Sequence, residues 1–201
     1  MPMILNDKPI LYFDESSFNT WDYMGKVWQP KDDPFHVELS KHRVSKMTVA
    51  GILQTKPPKI YCKIVSSTTI VECCRFIEEI QEKRNGRPGL LVHDSHSAHI
   101  SMKFLNVLHD NNLASERIPI GCSELSAVEK VWSHMKFKWR TAMANLDDGE
   151  LEQAEARALL QSIIDEAEAD EDLARRLCKT VYETFANLLS TWPGNYPPKL
   201  P

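Results

Sequence analysis

Three acidic residues in this 201-residue chain stand where sheet edges are expected to form. Asp14 follows the continuous apolar run Pro9-Ile10-Leu11-Tyr12-Phe13, and Asp94 follows the short run Leu90-Leu91-Val92-His93. Both runs are β-prone in the manner of strands buried on both faces, so each should deliver its Asp at a strand end. Glu129 lies near the start of Ser126–Met143, where Val128, Val131, Trp132, Met135 and Trp139 recur at helical spacing, which places it in the first turn of a helix. Two strand ends and one helix start can bring three carboxylates to one edge of a sheet. Hard divalent cations take oxygen ligands and keep several waters, so a few carboxylates plus substrate phosphate oxygens suffice to hold them. Two such ions roughly 3.5–4 Å apart can activate the attacking oxygen and stabilise the leaving oxygen of an in-line phosphoryl displacement. An Asp at a strand end also caps an ordinary turn, and position alone does not separate the two roles.

The elements that must position these acids read as an α/β mixed sheet flanked by helices. After the first strand, the apolar stretches Met24–Trp28 and Ser45–Leu53 are separated by the Pro- and charge-rich segment Pro30–Arg43, a long loop between antiparallel strands. Lys59–Val65 reads as a further strand. Thr69–Arg84 has helical spacing and ends at the stop signal Asn85-Gly86-Arg87-Pro88-Gly89; Ser101–Asn112 reads as a helix and Arg117–Ile120 as a brief strand. From Asp147 to about Trp192 the period is helical, with a break near Ala169–Glu171, before a Pro-rich tail. The expected organisation is a catalytic unit over 1–146, an acidic helical extension over 147–192 and the tail 193–201.

The formal net charge of −4 argues mildly against a nucleic-acid partner, but its distribution does not. Residues 147–172 carry eleven acids against one base, Arg157, which leaves the rest of the chain at +6. A basic body followed by an acidic helical segment is compatible with DNA binding when the acids point away from the duplex. The five cysteines are odd in number and form no C-x-x-C pair, as expected in a reducing, intracellular compartment. No stretch approaches the roughly twenty apolar residues of a membrane span, so no membrane partner is expected.

Three segments resemble the mariner-like DDE transposases, a group of DDE superfamily endonucleases. Tyr12-Phe13-Asp14-Glu15-Ser16-Ser17-Phe18 is similar to the first catalytic block of that family, and Val92-His93-Asp94-Ser95-His96-Ser97-Ala98-His99 to the second. Cys122-Ser123-Glu124-Leu125-Ser126-Ala127-Val128-Glu129-Lys130-Val131-Trp132 resembles the third, and 34 residues separate Asp94 from Glu129, a spacing found in one large branch of the superfamily. Ser95 and Ser97 stand where the family usually has asparagine and proline, and Ser123, Ser126 and Ala127 where it has proline, asparagine and proline. The resemblance covers roughly residues 9–140. It implies a ribonuclease-H-like fold with extra C-terminal helices, in which Asp14, Asp94 and Glu129 hold two magnesium or manganese ions for DNA cleavage and strand transfer.

The resemblance further implies DNA as partner, a homodimer as one assembly and a nuclear location. Family members carry an N-terminal helix-turn-helix reader, whereas Met1 lies thirteen residues before Asp14, so the reader is expected on a separate subunit or domain. The alternative is a domesticated or degenerate DDE domain acting as a structural module in a larger complex. A third reading is a nuclease of the same fold that cuts RNA in hybrids. His99 matches a family position near the active site, where it would assist phosphate or carboxylate contacts. His93, His96 and His99 lack accompanying ligands at zinc-like spacing, which argues against zinc. Lys130, Lys136, Lys138 and Arg140 would form a DNA-facing strip beside Glu129, with a solvated face as the alternative and the interleaved aromatics in the core. Lys26, Lys31, Lys41, Arg43 and Lys46 place positive charge around the long loop, where family members carry a clamp contacting a partner subunit or DNA.

Overall fold

The computed structural model describes residues 8–19, 46–122, 125–144 and 152–191. The expected strand Met24–Trp28, the loop Pro30–Arg43, the loop cations Lys26, Lys31, Lys41 and Arg43, Ser123 and Glu124 of the third block, and the Pro-rich tail lie outside these residues.

Alternation along the first apolar run decides the layers. In β1 (Ile10–Phe18), Leu11 and Phe13 face one side of the sheet while Tyr12 and Phe18 face the other, as a period of two requires. Beside it lies β2 (Met47–Thr55), buried along its whole length, and then β3 (Pro58–Val65), joined to β2 by a tight turn at Lys56-Pro57. On the other side, β4 (Gly89–His93) and β5 (Leu113–Arg117) run parallel to β1, giving the order β3-β2-β1-β4-β5. The pairings of β1 with β2 and of β2 with β3 are antiparallel, so the sheet is mixed.

The Leu11 and Phe13 face is covered by α1 (Ile70–Lys83) and α2 (Met102–Asp110), which present Cys73, Phe76, Ile77, Ile80, Phe104 and Leu108. The Tyr12 and Phe18 face is covered by α3 (Val128–Ala144), α4 (Gln153–Ala169) and α5 (Glu171–Thr191). Val131, Trp132, Met135 and Trp139 of α3 share one apolar cluster with Leu160, Ile163 and Ile164 of α4 and with Leu173 and Cys178 of α5. The acidic helices therefore pack on the sheet. Glu168 of α4 also caps the exposed side of β3, accepting the Cys62 backbone N–H at 2.6 Å. An edge strand otherwise presents unpaired donors to solvent.

Two elements differ from the sequence reading. β1 does not end at Asp14 but continues to Phe18, because its pairing with β2 runs from Leu11 to Phe18 while its pairing with β4 stops at Tyr12. Asp14 thus sits mid-strand, just past the point where the sheet opens on the β4 side. The expected strand Arg117–Ile120 is instead β5 at Leu113–Arg117. It is polar because it is an exposed edge, and the apolar Ile118 and Ile120 belong to the loop that follows.

One glycine couples this fold to the acids. Gly51 of β2 pairs directly with Asp14 of β1, and a Cβ there would run into the Trp132 ring and crowd Cys62 Sγ. The missing side chain lets α3 lie close against the sheet, one turn after Glu129. Gly51→Ala is expected to destabilise the protein by about 1–3 kcal/mol, the usual effect of overpacking a tight core. Urea denaturation measures it, and an unchanged midpoint would show that the approach of α3 is not set here.

Candidate active site

Each acid reaches the site by a different local route. Asp14 shares the β1 face of Tyr12, toward α3; Asp94 is the first residue after β4; and Glu129 is the second residue of α3. All three line one open cleft of about 390 Å³, walled by Ser95, Ile118, Pro119 and Gly121 and bordered by Ser126. No Lys or Arg lines it among the described residues. Burial pushes the Asp14 carboxyl up from 3.8 to about 6; a hydrogen bond from the Glu15 backbone opposes the shift, and the negative charges of Glu15, Asp94 and Glu129 add to it. The Asp14 carboxyl therefore lies within electrostatic reach of the other two cleft acids.

A second set of groups lies behind Asp94. His99 is fully buried, and its Nδ1–H donates to Asp94 Oδ1 at 2.6 Å while Nε2–H donates to the Glu15 carboxylate at 3.0 Å. With both ring nitrogens donating, the ring is an imidazolium held between two carboxylates. Burial alone would lower its pKa, but the hydrogen bonds and charges of Glu15 and Asp94 raise it overall. Asp94 shifts the other way: burial opposes ionisation, yet the His96 backbone N–H and His99 hold its carboxyl below the usual range. The Cys73 thiol donates to Glu15 Oε1 at 3.0 Å and is pushed well up by burial and by that carboxylate. Nearby, His93 is lowered by burial; its Nδ1–H donates to the Asp94 carbonyl, leaving Nε2 to accept from Ser115 Oγ.

Sequence reasoning had no local signal for Glu15 and Cys73, whose contacts span 84 and 58 residues. Glu15, Cys73 and His99 bring ligand atoms within 4.8 Å of one another, a cluster that the spacing of the histidines does not reveal. Hydrogen bonds account for their contacts. Ser126 stands out in the sequence only as a departure from the family pattern; its buried hydroxyl borders the cleft and has no hydrogen-bond partner among the described residues.

The cationic strip divides. Lys130 and Arg140 are exposed on α3, and Phe137 between them is 69% exposed, so it joins their face, whereas Trp132 and Trp139 are core. Lys136 is half-buried, and Lys138 turns toward α4 and pairs with Glu166. His99 reaches the two carboxylates and does not reach the surface.

The chemistry of the donor set fits hard divalent cations. His99 partners Asp94 from behind, but no Lys or Arg lines the cleft among the described residues. Asp14, raised mainly by burial and in part by its acidic neighbours, is left with Glu129 as negative charge that a divalent cation would neutralise. Asp14, Asp94 and Glu129 are the residues that would hold it.

Residues 9–152 match the family described as DDE superfamily endonuclease. In three dimensions the chain is similar to the Mos1 mariner paired end complex with Mn, at 14% identity and a TM-score of 0.63, covering 94% of this chain and 56% of that one. It is similar to the Mos1 transposase catalytic domain with Raltegravir and Mg at 12% identity and 0.59, covering 94% and 85%. The dimeric HTLV-2 integrase catalytic core in complex with magnesium follows at 11% identity and 0.50, covering 80% and 85%. The chain spans about half the length of the transpososome and intasome chains it matches, 57% and 48% in two of them. These likenesses establish the ribonuclease-H-like mixed fold. No curated protein matches the chain in sequence.

Proposed function

The chain belongs to the DDE superfamily endonuclease family, and from that membership we propose that it cleaves DNA and transfers the freed strand, using two magnesium or manganese ions held by Asp14, Asp94 and Glu129. The observation that supports this reading is that all three acids line one cleft, where burial and then its acidic neighbours push the Asp14 carboxyl up to about 6. Relatives in fold include complexes of a mariner transposase with Mn and of a retroviral integrase core with magnesium. DNA is the substrate, a second copy of the chain and a separate DNA-reading domain are the expected partners, and the nucleus is the compartment. No helix among the described residues is long and apolar enough to cross a membrane.

When bound, the divalent ions would supply Lewis-acid activation and neutralise charge on the phosphate in the transition state. The residues of the chain then have separate tasks. Asp14 and Glu129 reach the cleft from β1 and from α3. His99 fixes Asp94 by a charge-assisted bond to Oδ1, so one oxygen is spoken for and the carboxylate cannot rotate freely. The exposed Lys130, Phe137 and Arg140 extend from Glu129 as a surface on which a strand could lie, with a base stacked on the ring. Lys138 is engaged with Glu166 and contributes less.

Incubating the protein with supercoiled plasmid and Mn²⁺ tests the proposal. Conversion to nicked circles that EDTA prevents is the expected result, and intact plasmid from folded protein, even with a DNA-reading partner added, would count against it.

His99 has its own expected outcome as a positioning residue. His99→Gln keeps a single donor nitrogen and turns an acceptor oxygen to the other side, so it cannot bridge both carboxylates, and loss of an orienting partner behind a ligand typically weakens metal binding about 10–100-fold. Calorimetric titration with Mn²⁺ reads this directly. A folded variant that binds as tightly as the wild type would show that His99 serves packing alone.

A further inference from the structure

At the opposite end of the sheet from the three acids, a depression of about 460 Å³ is lined by Lys8, Lys56, Lys59, Lys83, Arg84 and Arg87 and by no acid. It opens where β1 and β4 begin, beside Pro9 and Pro88, roughly 15–20 Å along the strands from Asp14 and Asp94 at about 3.3 Å per residue. Lys8, Lys59, Lys83, Arg84 and Arg87 form no ion pair with a carboxylate among the described residues. Lys59 instead lies over the Tyr61 ring, 5.3 Å from its centroid.

Arg84 sets this place apart from an ordinary basic surface. It is only 4% exposed, and its guanidinium donates to Gln54 Oε1 at 2.7 Å, to Gln81 Oε1 and to the Pro88 carbonyl at 3.4 Å, all neutral acceptors. Buried charges are normally paired, because the desolvation penalty is otherwise uncompensated. Burial and, to a lesser extent, Arg87 lower the pKa of Arg84; Tyr61, which opposes them, is a phenol whose own pKa burial raises, so it carries no charge at neutral pH. The C-terminus of α1, where Lys83 and Arg84 sit, supplies about half a negative charge, which balances a fraction of one of these six cations.

We propose that this depression is a phosphate-binding site, separate from the catalytic cleft, in which Arg84 presents its guanidinium from the floor and the surrounding lysines and Arg87 close on the anion. The Arg84 charge is held in place by its three neutral acceptors, and it and the several point charges around it suit a polyanion better than a single carboxylate. Phosphate can come from a nucleic-acid backbone or from a free phosphate. The number of cations around the depression favours the backbone, as a second DNA contact at the end of the sheet away from the acids.

The test uses the full chain in EDTA, so that binding is measured without cleavage and its outcome is independent of the metal reading. Lys8→Ala/Arg87→Ala removes two exposed cations that hold no ion pair among the described residues, and its melting temperature should match the wild type. Anisotropy titrations of a labelled duplex at 50 and 200 mM salt follow. Because the variant neutralises two fewer phosphates, the slope of log affinity against log salt should flatten by about 1.8, so the wild type loses roughly twelvefold more affinity over that range than the variant. In parallel, inorganic phosphate should raise the melting temperature of the wild type and not of the variant. A phosphate effect with equal duplex slopes would support the site while assigning it to a free phosphate. Equal slopes and no phosphate effect would overturn it.

Discussion

Replacing Asp94 by Asn is expected to abolish metal-dependent nicking, lowering the rate by about 10³-fold or more. Several kcal/mol of charge stabilisation would be lost with the metal, and each 1.4 kcal/mol is a factor of ten. The amide keeps the size of the carboxylate and an oxygen able to accept from the His96 N–H and from His99, so the loop after β4 should hold its shape. The cost to stability has a defined sign. The carboxyl of Asp94 is depressed in the folded protein, so its ionised form favours folding above the ordinary carboxylate range and loses that contribution as pH falls. At neutral pH the variant therefore gives up some of the attraction to His99, a modest loss for a side chain 53% exposed. Nicking by a folded Asp94→Asn protein at the wild-type rate would remove Asp94 from the chemistry.

Asp14→Asn is expected to act in the opposite direction on stability while having the same effect on activity. The Asp14 carboxyl is held near 6 against 3.8, so the folded protein binds this proton more tightly than the unfolded chain does. That difference favours folding at low pH and is lost as pH rises from about 4 through 6. Above that window the ionised carboxylate weakens the metal-free protein by up to about 3 kcal/mol, at 1.4 kcal/mol per pKa unit. The amide escapes this burden but still buries a polar group, so at pH 8 in EDTA the variant should melt about 5 °C above the wild type. Adding Mn²⁺ at a hundred times its dissociation constant should then stabilise the wild type by about 2.7 kcal/mol and leave Asp14→Asn unmoved. Thermal melts at pH 5 and pH 8 give all of these values. A variant less stable than the wild type at pH 8 would mean that the carboxylate is not under electrostatic load.

How much of this is legible in the sequence depends on how local each signal is. Asp94 and Glu129 sit where the apolar run 90–93 and the helical spacing from Val128 put them, because a strand end and a helix start are set within a few residues. The apolar run before Asp14 predicts a strand end there, whereas β1 runs on through the polar residues Glu15, Ser16 and Ser17. Its length is dictated by β2 alongside it, a partner some forty residues away that no local pattern encodes. The position of β5 escapes the apolar pattern because an exposed edge strand need not be apolar. Phe137 is expected in the core with Trp132 and Trp139, yet the α3 face it shares with Lys130 and Arg140 is open. The bridge from Glu15 through His99 to Asp94 joins the first two sequence blocks only after β1 and the turn following β4 are brought side by side.

The claim on which the rest depends is that Asp14, Asp94 and Glu129 hold divalent metal, and anomalous diffraction from crystals grown with Mn²⁺ tests it most directly. Manganese density is expected in the cleft among those three carboxylates, with none in Asp14→Asn crystals grown alike. A cleft without density, or density confined to the neighbouring cluster of Glu15, Cys73 and His99, would contradict it.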